Sequence, residues 1–317
     1  LSGEKKQTVT FSGTSATFNI LELQNHSEEG IYAPNGLRAQ KIIWNGCKVD
    51  DGSEGICGEE LTADTVLEGD VFLSSGEMNL NGHTLTINGN LYQTSGDLKI
   101  NGGELHVKGD YYIQKVSVAD GDVKAIGAAT GTLYMTEEND RITVDGDFVM
   151  GANVSSADKL TAGILTVKGN VTQITYANAA NLAMTGAAKL VLAGNKAQKM
   201  TFANMSSSES RFCNLEITNT SEEGVDLGEN GVYLTGVFDD NGNAFKGYVR
   251  PAATATFENN TVNGNVKQTE NYAFAEAFVI KGDYYLTGGT GTIKGDSLTV
   301  EGKCTQNGGS INVNGKQ

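Results

Sequence analysis

Four aspartates, Asp70, Asp110, Asp147 and Asp283, each follow a glycine in otherwise similar surroundings. Carboxylates repeated at one position of a regular structure could form a calcium column, because calcium takes several hard oxygen ligands. The same position, however, holds Asn90, Asn170, Asn265 and Lys303. Gly followed by Asp or Asn is also the chemistry of a chain turning a corner, since both residue types accept left-handed backbone at low cost. The corner is the preferred reading, and no metal or other cofactor is expected.

The residues directly after these pairs are Val71, Leu91, Tyr111, Phe148, Val171, Val266, Tyr284 and Cys304, which reads as a core-facing position. The next residues, Phe72, Tyr92, Tyr112, Val149, Thr172, Lys267, Tyr285 and Thr305, should then face outward. On successive turns about 4.8 Å apart, Phe72, Tyr92 and Tyr112 would form an aromatic strip. Such a strip is a candidate surface for sugar rings. Its plainer reading, and the favoured one, is that stacked rings stabilise neighbouring turns or pack under the insertion at 115–131.

Catalytic signals are weak. Cleavage of an acidic polysaccharide needs clustered carboxylates and a basic residue, and the chain has only Arg38, Arg141, Arg211 and Arg250 as arginines. Arg141 is near Asp140, Asp145 and Asp147 in sequence, but alternate residues of a strand point apart and surface pairing accounts for them. Two carboxylates brought together across turns for glycoside hydrolysis is the lesser alternative. No catalytic residue is assigned and the chain is not expected to be an enzyme.

His26, His83 and His106 lack ligand spacing. Cys47 and Cys57 flank a short, Gly-containing loop whose ends can meet, which makes them candidates for one disulfide. Cys213 and Cys304 sit at core-facing parity and read as small buried hydrophobes. The run Asp239-Asp240-Asn241-Gly242-Asn243 lacks the sixth-position Gly and twelfth-position Glu of a calcium loop, so a tight Asn-Gly turn is the simpler account.

These residues must be held by many short strands. The 317 residues include 41 Gly and 2 Pro and are rich in Asn, Thr and branched apolar side chains. With 38 acidic against 23 basic side chains the net charge is −15, a field that repels phosphate backbones, so nucleic acid is an unexpected partner. No run approaches the roughly 20 apolar residues of a membrane helix, so membrane insertion by this segment is not expected.

The pattern apolar-x-apolar-x-Gly-Asp/Asn-apolar recurs, as in Leu85-Thr86-Ile87-Asn88-Gly89-Asn90-Leu91 and Leu105-His106-Val107-Lys108-Gly109-Asp110-Tyr111. The marker glycines Gly69, Gly89 and Gly109 are 20 apart, and Gly264, Gly282 and Gly302 are 18 and 20 apart. Period-two alternation between Asn-Gly and Gly-Gly corners makes each run one strand. Superimposable blocks of this length predict an all-β, right-handed parallel β-solenoid (β-helix) with turns of about 20 residues, in which each turn covers its neighbour's apolar face.

A longer period is also present. Residues 1–11 (LSGEKKQTVTF) match 192–202 (LAGNKAQKMTF), and 18–30 (FNILELQNHSEEG) match 212–224 (FCNLEITNTSEEG). The expected organisation is one continuous solenoid: a long unit over 1–191, a shorter one over 192–312, and the start of a further unit at 313–317. It reads as a segment of a longer repetitive protein.

Blocks such as residues 95–114 (SGDLKINGGELHVKGDYYIQ) resemble the β-helical shafts of large bacterial surface and secreted proteins, the filamentous-haemagglutinin-like adhesins and the stalks of contact-dependent toxins. Polymerising bactofilins share the glycine corners, but the 191-residue super-repeat and the four cysteines favour the surface reading. The resemblance carries over no binding residue. It implies a rigid structural or adhesive module outside the cell, secreted or at its surface, contacting a polysaccharide, a cell-surface glycan or a protein partner. A carbohydrate-binding module using Phe72, Tyr92 and Tyr112 is the alternative; a polysaccharide lyase or hydrolase is the lesser one.

Overall fold

A strand with one apolar face and both backbone edges free is stable only between two similar strands. The computed structural model, which describes residues 1–13, 17–34, 36–50, 56–57, 59–119 and 122–313, meets this need with a parallel β-solenoid of about fifteen turns. One side stacks Ala39–Trp44, Asp70–Leu73, Leu91–Gln93, Tyr111–Ala119, Phe148–Met150, Val171–Gln173 and Gln198–Phe202. A second side runs from Thr65–Glu68 through Thr84–Asn88, Glu104–Val107, Arg141–Val144, Ile164–Val167 and Lys189–Leu192 to Asn214–Ile217 and beyond. The third carries Glu77–Asn79, Asp97–Lys99 and Leu133–Tyr134.

The register produces unbroken apolar columns. Leu67, Ile87, Val107, Val144, Val167, Leu192 and Ile217 are paired in sequence along the second side, and all are buried. Val71, Leu91, Tyr111, Phe148 and Val171 do the same on the first side. Beyond residue 232 three shorter parallel sheets continue the stack, ending in Leu298–Val300, Cys304–Gln306 and Ser310–Val313. The insertion after Tyr112 leaves the solenoid as an antiparallel hairpin, Tyr111–Ala119 against Asp122–Ala128.

Most of the marker glycines have a different cause from the one expected; among those named, only Gly69 (φ 78°) lies in the left-handed region. Left-handed backbone is found at the Asn-Gly corners, as at Asn81 (φ 48°) with Gly82 (φ 80°) and at Asn241 (φ 49°) with Gly242 (φ 78°). Among the marker glycines, Gly89, Gly109, Gly146 and Gly169 have ordinary φ. They are required because a Cβ on Gly89 would lie 2.3 Å from the carbonyl of Gly69, and one on Gly109 or Gly146 would lie 2.2 Å from Oδ1 of Asn90 or Asp110. The stacked corners approach too closely for any side chain.

The Asp or Asn after each glycine is explained by the same approach. Its Oδ1 accepts the backbone N–H of its counterpart one turn on: Asp70 from Asn90 (2.9 Å), Asn90 from Asp110 (2.8 Å), Asp110 from Asp147 (2.7 Å) and Asp147 from Asn170 (2.7 Å). Either residue type supplies that oxygen, which is why they alternate freely. One oxygen of each such carboxylate is thereby committed to the backbone, and among the described residues no three His, Cys, Asp or Glu side chains converge as metal ligands.

Buried glutamines inside the solenoid were not read from the sequence. Gln93, Gln173 and Gln268 are buried at the end of the strand that follows the marker. Gln93 donates to the Gly96 and Thr132 carbonyls and accepts the Tyr111 hydroxyl at 2.6 Å; Gln268 accepts Tyr284 at 2.6 Å. The signal was available, since Gln recurs four residues after Gly89, Gly169, Gly264 and Gly302.

The two segments of the long-period match fold to the same clamp. Asn25 Nδ2 donates to the Lys5 carbonyl and Gln7 Oε1, and its Oδ1 accepts the Ser27 N–H. Asn219 does the same with Lys196, Gln198 and Ser221. The clamps nevertheless sit on different sides, because Phe18–Asn25 belongs to the first side and Asn214–Ile217 to the second.

The cysteines depart from expectation in part. Cys47 is a buried free thiol whose pKa is pushed up by burial, while the Cys57 side chain, the other half of the expected bridge, lies outside the described residues. Cys213 is half-buried, and Cys304 is exposed despite its core-facing parity, because no further described turn covers its side.

The corner geometry orders three substitutions. Asp110→Asn keeps the Oδ1 acceptor and should leave the urea midpoint near wild type. Asp110→Ala orphans the Asp147 N–H and should cost about 1–3 kcal/mol. Gly109→Ala forces adjacent turns apart and should cost more than either; a wild-type midpoint for it would refute the close-approach account.

Candidate functional site

The residues expected to form the aromatic strip do stack. Phe72 and Tyr92 have ring centroids 4.7 Å apart at 20°, and Tyr92 and Tyr112 are 5.2 Å apart at 5°. Parallel pairing of Phe72 with Tyr92 and of Tyr92 with Tyr112 sets this spacing. Exposure is where the expectation fails. Phe72 is 3% and Tyr92 8% exposed, and Tyr112 is only partly open. Rings packed face to face along the axis hide their faces in one another, so this column offers edges and hydroxyls.

Those hydroxyls are tied to the corner ladder. Tyr112 donates to Asp110 Oδ2 at 2.8 Å, and Asn90 donates to the Tyr92 oxygen at 3.3 Å. Burial, with the Asp70 charge behind it, pushes the Tyr92 pKa up to about 12. Burial and the Asp110 hydrogen bond raise Tyr112 beyond the ordinary tyrosine range. Both hydroxyls stay neutral at physiological pH. The same arrangement recurs at Tyr285, which donates to Asp283 at 3.1 Å.

A second cluster, on the outer face of the second side, was only half visible in the sequence. Asp145 receives Lys168 Nζ at 2.7 Å on one oxygen and lies 3.1 Å from His106 Nε2 on the other, with Lys108 at 3.9 Å. These groups come from three successive turns, because Val107 pairs with Val144 and Val144 with Val167. Burial alone would raise the Asp145 pKa, but the hydrogen bonds from Lys168 and His106 hold it below the usual carboxylate range. Beside it a shallow groove of about 490 Å³ is lined by Asp147, Lys168, Asn170, Asn195 and Lys196 among others.

Arg141 is not part of this cluster. It donates to the Glu138 and Asp140 carbonyls, while the Asp140 carboxylate is buried under N–H donors from Gly102, Thr136 and Glu137. Chemically, Asp145 is a charged carboxylate paired with Lys168 and lying beside His106. Acid–base cleavage of a glycoside requires instead one carboxyl that keeps its proton beside a second that does not.

No protein-family model, curated protein or solved structure matches the chain. What is established is therefore the parallel β-solenoid itself. Among the described residues no helix is long and apolar enough to cross a membrane.

The depressed Asp145 pKa has a defined pH signature. Its contribution to stability is fully present above the ordinary value of 3.8 and is lost as pH falls below that through the folded-state value. Asp145→Asn should therefore lower the urea midpoint at pH 7, and the gap to wild type should narrow once the pH is taken below 3.8 and the wild-type carboxyl takes up its proton. An equal gap at both pH values would exclude the ion cluster as its source.

Proposed function

We propose that this chain is a rigid structural or adhesive shaft displayed outside the cell, secreted or at a bacterial surface. The observation that carries the reading is the continuity of its pairing. Turn after turn is joined in register by backbone bonds on its sides, by the Asp/Asn ladder at one corner and by apolar columns within. A body built this way resists bending and grows only in length. The side-chain clusters on its surface reinforce the same stacking, since the aromatic rings lie on one another and the Asp145 cluster ties three turns together. The likeness of the roughly 20-residue blocks to adhesin and toxin-stalk shafts agrees with this reading.

Carbohydrate recognition through the aromatic column is the weaker reading, because two of its three rings are buried. Polysaccharide cleavage has less support, since the Asp145 cluster sets one carboxylate against Lys168 and His106 rather than against a second carboxyl.

Two measurements test the proposal. About fifteen turns at about 4.8 Å each give a rod on the order of 70 Å long, to be checked by small-angle scattering and electron microscopy. A flexible or compact particle would remove the basis for a shaft. A glycan array probed with wild type and Tyr112→Ala then separates the readings: binding that the variant loses would make the column a glycan site, and none by either protein leaves the shaft.

A further inference from the structure

Backbone pairing is unevenly spread along the axis. At 164–173 the whole of Ile164–Val167 pairs with Lys189–Leu192, and the whole of Val171–Gln173 pairs with Met200, Thr201 and Phe202. Between the turn at 237–255 and the turn at 256–274 the ladders are much shorter. Val237 pairs with Thr256 and Phe238 with Phe257 on one side, and Tyr248 with Asn265 and Val249 with Val266 on another. The interfaces immediately before and after this one carry ladders on three sides.

The chain leaves strands unpaired here. Phe245–Lys246 ends the sheet of the first side and Tyr272–Phe274 begins a new sheet, so among the described residues neither has a strand facing it across the interface. The second side is broken in mid-turn. After Thr256–Phe257 comes a single 3₁₀ turn, Glu258–Asn260, with Asn259 at φ 55° and Asn260 at φ 50°. Asn is one of the few residues that accept this left-handed backbone. The strand then resumes as Thr261–Val262, which pairs only with the turn that follows. Phe245 occupies the space left by the missing strand: its ring lies against Gly264, where a Cβ would come within 2.5 Å of it.

Side chains bridge the gap instead. The buried Asp240 accepts the Asn263 N–H and Nδ2, each at 2.7 Å. Asn265 donates to the Gly247 carbonyl at 2.9 Å and the Tyr272 hydroxyl to the Ala255 carbonyl at 3.2 Å. Phe257 makes edge contacts back to Phe238 and forward to Tyr272 and Phe278. Tyr233 reaches past the interface to donate to Glu270 at 2.9 Å.

We infer that the interface between residues 237–255 and 256–274 is a yield joint, the internal plane at which the solenoid parts while the blocks on either side stay folded. In a stack whose stability is a sum of nearest-neighbour terms, an internal interface weaker than both its neighbours is where the body divides. Turns are connected in series, so an axial pull loads every interface equally and this one opens first. Side-chain bridges can re-form when the load is removed, because the strands that carry them remain paired within their own blocks. The role of the joint as a load limiter rests on the shaft reading, whereas the joint itself does not.

Hydrogen exchange with a reversible pin tests it. In the wild-type chain, peptides covering 237–251 and 256–268 should exchange on the order of tenfold faster than those covering 141–150 and 164–173, and together, as one opening step in sub-denaturing urea. Uniform protection along the solenoid would overturn the proposal. Val237 and Thr256 are both exposed, and paired residues on adjacent parallel strands have Cα atoms about 4.8 Å apart, within disulfide reach. Val237→Cys/Thr256→Cys is made with Cys213→Ser, because the Cys213 thiol lies beside Gly236. Oxidation of this variant should slow both peptides to the rate of 164–173, and reduction should restore the fast step. Fast exchange that persists in the oxidised protein would also overturn the proposal, by placing the motion within the turns rather than between them. Scattering reads the length of the rod independently, so loss of the shaft reading would leave the exchange result standing.

Discussion

Stacked corners in this solenoid touch backbone to backbone, and most of the remaining architecture follows from that contact. At the marker corner the glycine of each turn lies against the glycine carbonyl and the Asp or Asn oxygen of the turn before, with no room for a Cβ. The close approach lets a side chain as short as Asp or Asn reach the next N–H, and it fixes the register of the strands on either side. Length variation is accordingly expelled from this corner. The spacing of 20 between Gly89 and Gly109 grows to 37 between Gly109 and Gly146, and most of the added residues lie in the hairpin and loop between the first and third sides.

The interior obeys a matching rule for polar groups. Turning a corner leaves carbonyls without strand partners, and burying them unbonded would be costly. Gln93 reaches inward from a strand end to satisfy two such carbonyls, and its remaining oxygen is met by Tyr111 of the next turn. The Asn25 and Asn219 clamps do equivalent work where the chain opens each long unit. Each of these networks includes bonds that cross from one turn to the next, so they reinforce the axial pairing that the apolar columns provide.

How far this was legible in the sequence depends on the range of each interaction. Alternation and glycine spacing located the turns and the core-facing residues Val71, Leu91, Tyr111 and Phe148, because burial on a strand is set by parity. The stacking of Phe72, Tyr92 and Tyr112 was equally readable from their common register. Their burial was not, since it depends on what neighbouring turns place beside them. His106 and Lys168 meet Asp145 across 39 and 23 residues, a contact that appears only once the unequal turn lengths are resolved. Local propensity also supplied a wrong reason for the marker glycines: the left-handed preference of Gly applies at Gly82 and Gly242, whereas Gly109 is excluded from bearing a side chain by its neighbour.

The placement of the two clamps bears on how repeated features can be used. The strand that opens the first unit lies in the sheet of the first side, and its counterpart in the second unit lies in the sheet of the second. Matching sequence therefore reappears rotated by one side about the axis, so equivalent surface residues of successive units do not form a row. Receptors that gain affinity from repeated sites need those sites to be reachable together. Rotation works against that geometry while leaving axial pairing untouched, because each turn meets its neighbours identically whichever side it starts on. A sequence repeated in this manner preserves what a shaft needs and scatters what a multivalent binding face would need.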